Sequence, residues 1–254
     1  MKINILGVFV DNLSTKEVME KIKEFLTDKK QHYIVTPNPE FLVAAQKDEN
    51  FRKILNQADL AVPDGVGIIL AAKILKKKIK ERIPGVDLTL KICQLAALNH
   101  WKVFLLGGLN DSAFWASKKL QKKFPSLRIH FFSGGKIDLE GGGESDDLII
   151  KTINQFQPQI LFVAFGQVKQ EKWIKKNLSR LSSVKLAMGV GGAFAYLGGK
   201  AKRPPYILRR LGLEWLWRLI LEPWRIRRIF NATVVFLFKV ILEKLRRNKK
   251  SALF

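Results

Sequence analysis

Cysteine is almost missing from this chain. Cys93 stands alone among 254 residues, which excludes an intramolecular disulfide and suits a reducing compartment. Histidine is scarce as well: His32, His100 and His130 lie far apart, so no zinc finger can form and the three are expected to be structural. No run reaches the roughly 18–20 apolar residues that a membrane span needs. The nearest is 229–238, resumed at 240–242 beyond Lys239, long enough to lie on a bilayer and too short to cross it. The opening MKINILGVFVDNLS is apolar only as far as Asp11, too briefly for a secretory signal. Neither G-x-G-x-x-G nor a Walker A sequence occurs, so dinucleotide and P-loop sites lose their usual support. Acidic residues are few, 22 against 45 basic ones, and the net charge is +23.

That excess is unevenly spread. Residues 200–254 hold 15 basic and 3 acidic residues, so about a fifth of the chain carries half of the surplus. A cationic end of this kind meets something anionic, such as nucleic acid or a membrane surface. The remaining composition, 47% hydrophobic and 26% charged, is that of a folded chain, and the length suits one α/β domain with an appendage.

Six short apolar runs, at 33–36, 60–62, 103–106, 129–132, 160–165 and 186–190, read as buried strands of the parallel kind. Helical patterns alternate with them. Ser14 with Glu17 forms a capping box, Asn38 before Pro39 is an N-cap with proline at the first helical position, and Asp111 is placed to cap a helix running to Phe124. The alternation predicts an α/β core over residues 1–197, a Rossmann-like, mostly parallel sheet flanked by helices. The glycine-rich stretch 133–147 is expected to be a flexible surface loop. From residue 198 the pattern changes. After Pro204-Pro205, Leu211, Trp215, Leu219 and Ile220 make an apolar stripe at helical spacing, broken near Pro223. A second helix, from about 224 to 247, interleaves aromatic and aliphatic residues with Arg and Lys. This is the composition of a basic amphipathic helical appendage, 198–254, that seeks a membrane surface. Deletion from about residue 200 is expected to leave a folded core, and the tail's apolar faces favour a homo-oligomer.

Ligands of open α/β sheets bind beyond the carboxyl ends of the strands. The exits here are Thr36-Pro37-Asn38, Pro63-Asp64-Gly65, Gly107-Gly108, Ser133-Gly134, Gly166-Gln167 and Gly191-Gly192. Any one small, polar exit is ordinary turn chemistry, but six together mark a crevice. Asp64 is placed to act as a general base, or merely to cap the following helix. Thr36 and Asn38 can hydrogen-bond a substrate hydroxyl, although Asn38 also suits a cap. Arg82, in KERIPGVDL, is a site arginine or a solvated loop residue. Arg218, Arg225 and Arg228 are spaced to converge on one side, where their guanidinium forks suit a diphosphate. Lipid headgroups or plain solvation would explain each of them alone. The acidic clusters 138–140 and 144–147 fall in the glycine-rich loop, so no metal site is expected.

The segments TPNPEFLVAAQKDENFRKILNQADLAVPDGVGIILAAKIL, ERIPGVDL, VFLLGG, ILFVAFGQVKQEKWI, GVGGAFAYLGGKAKRPP and GLEWLWRLILEPWRIRR follow in order over roughly residues 2–230. Together they resemble the WecG/TagA/CpsF glycosyltransferases. The resemblance implies an inverting, metal-independent enzyme without a cofactor, acting peripherally at the cytoplasmic face of the bacterial membrane. Its partners would be a nucleotide sugar and a polyprenyl-diphosphate-linked acceptor. N-acetylmannosamine would pass from UDP to the 4-hydroxyl of N-acetylglucosamine on undecaprenyl diphosphate, as in making the linkage unit of wall teichoic acid. The resemblance places the base on Asp64, with Thr36 and Asn38 beside it and Arg82 and Gln167 lining the site. Gly107, Gly108, Gly191 and Gly192 would face the donor, and Arg218, Arg225 and Arg228 its diphosphate. One departure is Ala195, where the family often carries an acidic residue. Two other readings stand beside this one. The first is another donor within the family, N-acetylmannosaminuronic acid or a hexose, for capsule, exopolysaccharide or enterobacterial common antigen. The second is a basic nucleic-acid-binding protein, disfavoured because the tail's arginines alternate with Trp, Leu, Ile and Phe.

Overall fold

The apolar runs form the centre of the computed structural model. It describes the backbone of residues 1–210 and 212–251, and the side chains of all of these except 209, 210, 225 and 249–251. Leu211 of the tail's apolar stripe therefore lies outside the described residues, as does the side chain of Arg225. The strands are β1 (Lys2–Ile5), β2 (Val8–Asp11), β3 (His32–Val35), β4 (Leu60–Ala61), β5 (Lys102–Gly107), β6 (Arg128–Phe132), β7 (Ile160–Ala164) and β8 (Leu186–Gly189). The last six match the six expected runs and form one wholly parallel sheet in the order β4-β3-β8-β7-β5-β6. From β3 the chain goes out to β4 at one edge, and from β5 to β6 at the other. The middle of the sheet is filled later by β7 and β8, so the crevice opens over the exits of β3, β8, β7 and β5.

Both faces of the sheet are buried along β3, β4, β5, β7 and β8, which is why those strands lack a polar side, whereas the edge strand β6 leaves Arg128 and His130 exposed. Phe104, Leu106, Leu161 and Val163 point into a core shared with Phe41, Phe51 and Trp173. Their neighbours Val103, Leu105, Ile160 and Phe162 point the other way, toward Leu88, Ile92 and Leu120. The Ser14–Glu17 capping box forms, and Asn38 Oδ1 accepts from Phe41 N at 3.1 Å at the start of helix Pro39–Ala45. Asp111 behaves differently: its backbone is left-handed, φ 55°, and its side chain makes no capping bond to helix Ser112–Lys123.

Three features depart from the sequence expectations. An N-terminal hairpin, β1 against β2, buries Ile3, Ile5, Val8 and Val10, and turns through Leu6 and Gly7, both at positive φ. Asp11 Oδ2 in this hairpin accepts from Ala61 N at 2.8 Å along the free edge of β4. The stretch 133–147, expected to be a loose loop, is irregular but pinned. Asp138 Oδ1 accepts from the amides of Glu140 and Gly142, Asp146 Oδ1 accepts from Trp173 Nε1, and Ile137 is buried.

The tail is the third. It runs as helix Glu214–Leu221, a 3-10 turn Pro223–Arg225, helix Ile226–Phe230, a π turn Asn231–Val235 and helix Phe236–Ser251. Phe236 and Val240 are both 0% exposed and belong to the same buried cluster as Phe41 and Ile68. Helix Val66–Ile74 comes close through Gly67, where a Cβ would collide with Pro39 and lie 3.6 Å from the Phe236 ring. Leu6 N donates to Glu243 Oε2 at 3.0 Å, Arg247 Nη2 donates to Asn4 O at 3.3 Å, and Arg203 pairs with Asp87 at 2.7 Å. The composition changes at residue 198, but the core does not end there. Cutting near 200 would strip Phe236 and Val240 out of that core, so such a deletion does not leave the core intact. No helix among the described residues is long and apolar enough to cross a membrane.

Truncating a fully buried phenylalanine costs about 3–5 kcal/mol. Phe236→Ala in the full chain is expected to lower the denaturant midpoint by a corresponding amount. An unchanged midpoint would show that the last helix is not part of the core.

Candidate active site

A cleft of about 780 Å³ lies over the strand exits. Thr36, Asn38, Asp64 and Gln167 line it, as do Gly108, Gly191 and Gly192, while the tail closes one side with Arg218 and Arg228. Of the remaining expected residues, Gly107 lies beneath the wall, packed against Phe165 where a Cβ would come within 2.9 Å. Arg82 does not line the cleft. It pairs with Glu214 of the tail at 2.8 Å.

Two neighbouring turns place Asp64. Its own amide donates to Pro37 O at 2.9 Å, tying the β4 exit to the β3 exit, and Ile83 N donates to Pro63 O at 3.0 Å. The N-cap of helix Val66–Ile74 is Gly65, with no side-chain capping bond, so the Asp64 carboxylate is not used as a cap. It accepts instead from Gly85 N at 3.3 Å. A Cβ built on Gly85 would lie 3.5 Å from Thr36 Oγ1 and 3.6 Å from Asp64 Oδ2, so the two side chains converge on one spot beside Gly85. Asp64 keeps one side toward the cleft and is otherwise walled in. Desolvation, helped by the nearby charge of Glu214, pushes its pKa up to about 6, against the pull of the Gly85 hydrogen bond, Arg82 and Arg218. A carboxylate so placed is a proton acceptor whose affinity matches near-neutral work.

Basic side chains outnumber acidic ones in the rest of the lining, where Glu40 and Glu222 are the carboxylates. Arg218 Nε donates to Tyr196 Oη at 2.7 Å, and its guanidinium lies 5.1 Å from the centre of the Tyr196 ring, which fixes the fork at the cleft wall. Arg228 donates through Nε and Nη2 to both oxygens of Glu40, at 3.1 and 2.8 Å, and this pairing raises its pKa. Lys136, Lys169 and Lys200 complete the basic lining, with Ala195 beside Tyr196. Such a cleft can hold an anionic leaving group above one general base. Among the described residues, no three His, Cys, Asp or Glu side chains come together as metal ligands would.

Sequence reasoning passed over Tyr196, Glu214 and the adjacent Gln170–Glu171, although all lie inside the motifs that carried the family resemblance. Their signal is tertiary: Glu214 and Tyr196 matter because the tail folds back.

Raising a carboxyl pKa from 3.8 to about 6 has a stability consequence. Between those values the folded chain binds more protons at Asp64 than the unfolded one. Stability from this group is therefore full below about pH 3.8 and is lost as the pH rises through 6. Asp64→Asn is expected to melt at a higher temperature than the parent at pH 8, with the difference closing toward pH 4. Scanning calorimetry at both pH values reads this, and a lower melting point at pH 8 would contradict the desolvated carboxylate.

The comparisons with known proteins agree with the geometry. The model of the glycosyl transferase WecG/TagA/CpsF family matches residues 3–250. The N-acetylglucosaminyldiphosphoundecaprenol N-acetyl-beta-D-mannosaminyltransferase of Staphylococcus aureus strain MRSA252 is 36% identical over 252 residues, 98% of this chain and 96% of the relative. The protein of the same name from strain NCTC 8325 matches to the same extent. With the family model spanning both the strand exits and the tail that closes them, this chain belongs to the WecG/TagA/CpsF family of glycosyltransferases.

Proposed function

We propose that the chain transfers N-acetylmannosamine from UDP to N-acetylglucosamine on undecaprenyl diphosphate, by a single displacement with inversion and without a metal. The observation that carries this is the half-buried Asp64 carboxylate at the base of a cationic cleft, with Thr36 and Asn38 beside it. Asp64 takes the proton of the acceptor hydroxyl as its oxygen attacks the anomeric carbon from the face opposite UDP. The glycosidic C–O bond to the diphosphate breaks, and the configuration inverts. The departing charge is met by Arg218, held on Tyr196, and by Arg228, which must share its fork between Glu40 and the phosphate. Arg82 acts at one remove: paired with Glu214, it sets part of the field at Asp64.

A lipid-linked acceptor requires the cleft to sit at a bilayer, and the tail supplies the surface. Ile226, Phe230, Val234, Phe238, Ile241 and Leu245 are exposed along one side, while Ile229, Phe236 and Val240 on the other are buried. Arg227, Lys239, Lys244 and Arg246 flank that stripe, the pattern of a helix lying in an anionic interface. In this reading the protein works peripherally, on the cytoplasmic face.

Turnover is tested with UDP-N-acetylmannosamine and a lipid-linked N-acetylglucosamine acceptor in the presence of EDTA, against a panel of other nucleotide sugars. The wild type should turn over with kcat/KM rising with pH to a plateau above about 6, where Asp64 of the free protein is ionised. Asp64→Asn should lose about 10²–10⁴-fold, the usual contribution of a general base. Preference for another donor would move the specificity, and near-parental turnover by Asp64→Asn would remove the base.

Phe230→Asp with Phe238→Asp should weaken flotation with anionic liposomes and lower turnover on the lipid-linked acceptor. Turnover on a short soluble acceptor should be retained. Unaltered flotation would place the membrane contact elsewhere.

A further inference from the structure

Gln170 and Glu171 open helix Lys169–Asn177, and both are almost wholly buried, at 2% and 1% exposure. Neither is needed by the chemistry just described, and a buried carboxylate is an expensive way to fill a core. Their hydrogen bonds form an unbroken line. Val168 N donates to Glu171 Oε2 at 2.8 Å, Gln170 Nε2 donates to Glu171 Oε1 at 2.6 Å, and Gly191 N donates to Gln170 Oε1 at 3.0 Å. The line therefore runs from the β7 exit turn, which carries Gln167, to the β8 exit turn, which carries Gly191 and Gly192. Both turns line the cleft.

Two backbone features show that the fold makes room for this pair. Val168 sits at φ 72°, a region β-branched residues avoid, and its amide is held there by Glu171. Gly189, at the end of β8, faces the pair so closely that any Cβ would collide with Glu171 Oε1 and Gln170 Nε2.

We infer that Gln170 and Glu171 are positioning residues for the donor, clamping the β7 and β8 exit turns in the register that presents Gln167 and the Gly191-Gly192 backbone to the nucleotide sugar. The inference rests on the glycosyltransferase reading above. The chemistry of the line explains why a carboxylate is required. Residue 171 must accept two hydrogen bonds, from Val168 N and from Gln170 Nε2. An amide at that position has a single acceptor oxygen. It must abandon Val168, or turn its own NH₂ toward Gln170, which then flips and faces the Gly191 N–H with another donor. Either way one of the two turns is released. Burial pushes the Glu171 pKa up to about 7, against its hydrogen bonds from Gln170 and Val168, which agrees with a carboxylate kept at a cost.

The test is a set of full-length variants, Glu171→Gln, Gln170→Ala and the exchange Gln170→Glu/Glu171→Gln, read by UDP calorimetry, by donor KM and kcat, and by melting temperature. Glu171→Gln and Gln170→Ala should each weaken UDP binding and raise the donor KM about tenfold, the loss expected of a buried hydrogen bond to a charged group. Acceptor KM should stay near the parental value. The exchange restores two acceptors beside the amides and one donor between them, and should recover most of the lost kcat. If Glu171→Gln does not fold, Gln170→Ala carries the test, because it leaves the Val168 bond in place. Lower melting temperatures with unchanged UDP affinity and donor KM would overturn the inference and leave the pair a purely structural one. A wild type that neither binds UDP nor transfers sugar would instead mark a failure of the glycosyltransferase reading.

Discussion

The position of the tail's charges depends on the burial of two apolar side chains. Phe236 and Val240 are packed under helix Pro39–Ala45 and helix Val66–Ile74, the two helices that begin immediately after the β3 and β4 exits. Seating the last helix there brings the preceding segment across the crevice. Arg218 then reaches Tyr196, Arg228 reaches Glu40, and Glu214 reaches Arg82. Each of these pairs joins a tail residue to a segment that follows a strand exit, and each alone is a modest surface or half-buried contact. They hold a geometry that hydrophobic burial has already chosen.

The electrostatics of the cleft follow from that closure. The sheet supplies an acid in a confined turn, and the tail supplies Arg218 and Glu214, which together with Arg82 of the core tune it. Without the tail, Asp64 would face water and lose much of the desolvation that lifts its pKa. The cationic wall and the perturbed base are two results of one packing event. The same helix can turn its opposite face outward because its sequence is apolar on both sides, so docking on the core leaves a second stripe free.

How much of this the sequence disclosed differs from element to element. Apolar runs are the mark of strands covered on both faces, and five strands of the parallel sheet were legible for that reason; the edge strand β6 was legible from Ile129, Phe131 and Phe132 although Arg128 and His130 are exposed. Ser14 and Asn38 were legible as caps because capping is local. Asp64 could be placed at an exit, but whether it capped or faced the cleft depended on Gly65 taking the cap position. The hairpin β1–β2 was hidden by its turn: Leu6, rather than the usual asparagine or glycine, occupies the first positive-φ position. The pinning of 133–147 was hidden because Asp138 satisfies neighbouring amides in a glycine-rich context that reads as slack. The tail was the largest gap. Helical periodicity reports that a helix has apolar faces, not which of them meets protein and which meets lipid.

The contact between Leu6 and Glu243 spans 237 positions of chain. A ribosome delivers the hairpin long before the helix it bonds, so the hairpin waits through the synthesis of the whole parallel sheet for that partner. Arg218 and Arg228 likewise emerge only after every strand of the sheet has been made. The order of manufacture thus makes the charged side of the crevice a late step of assembly, taken after the strands whose exits it covers.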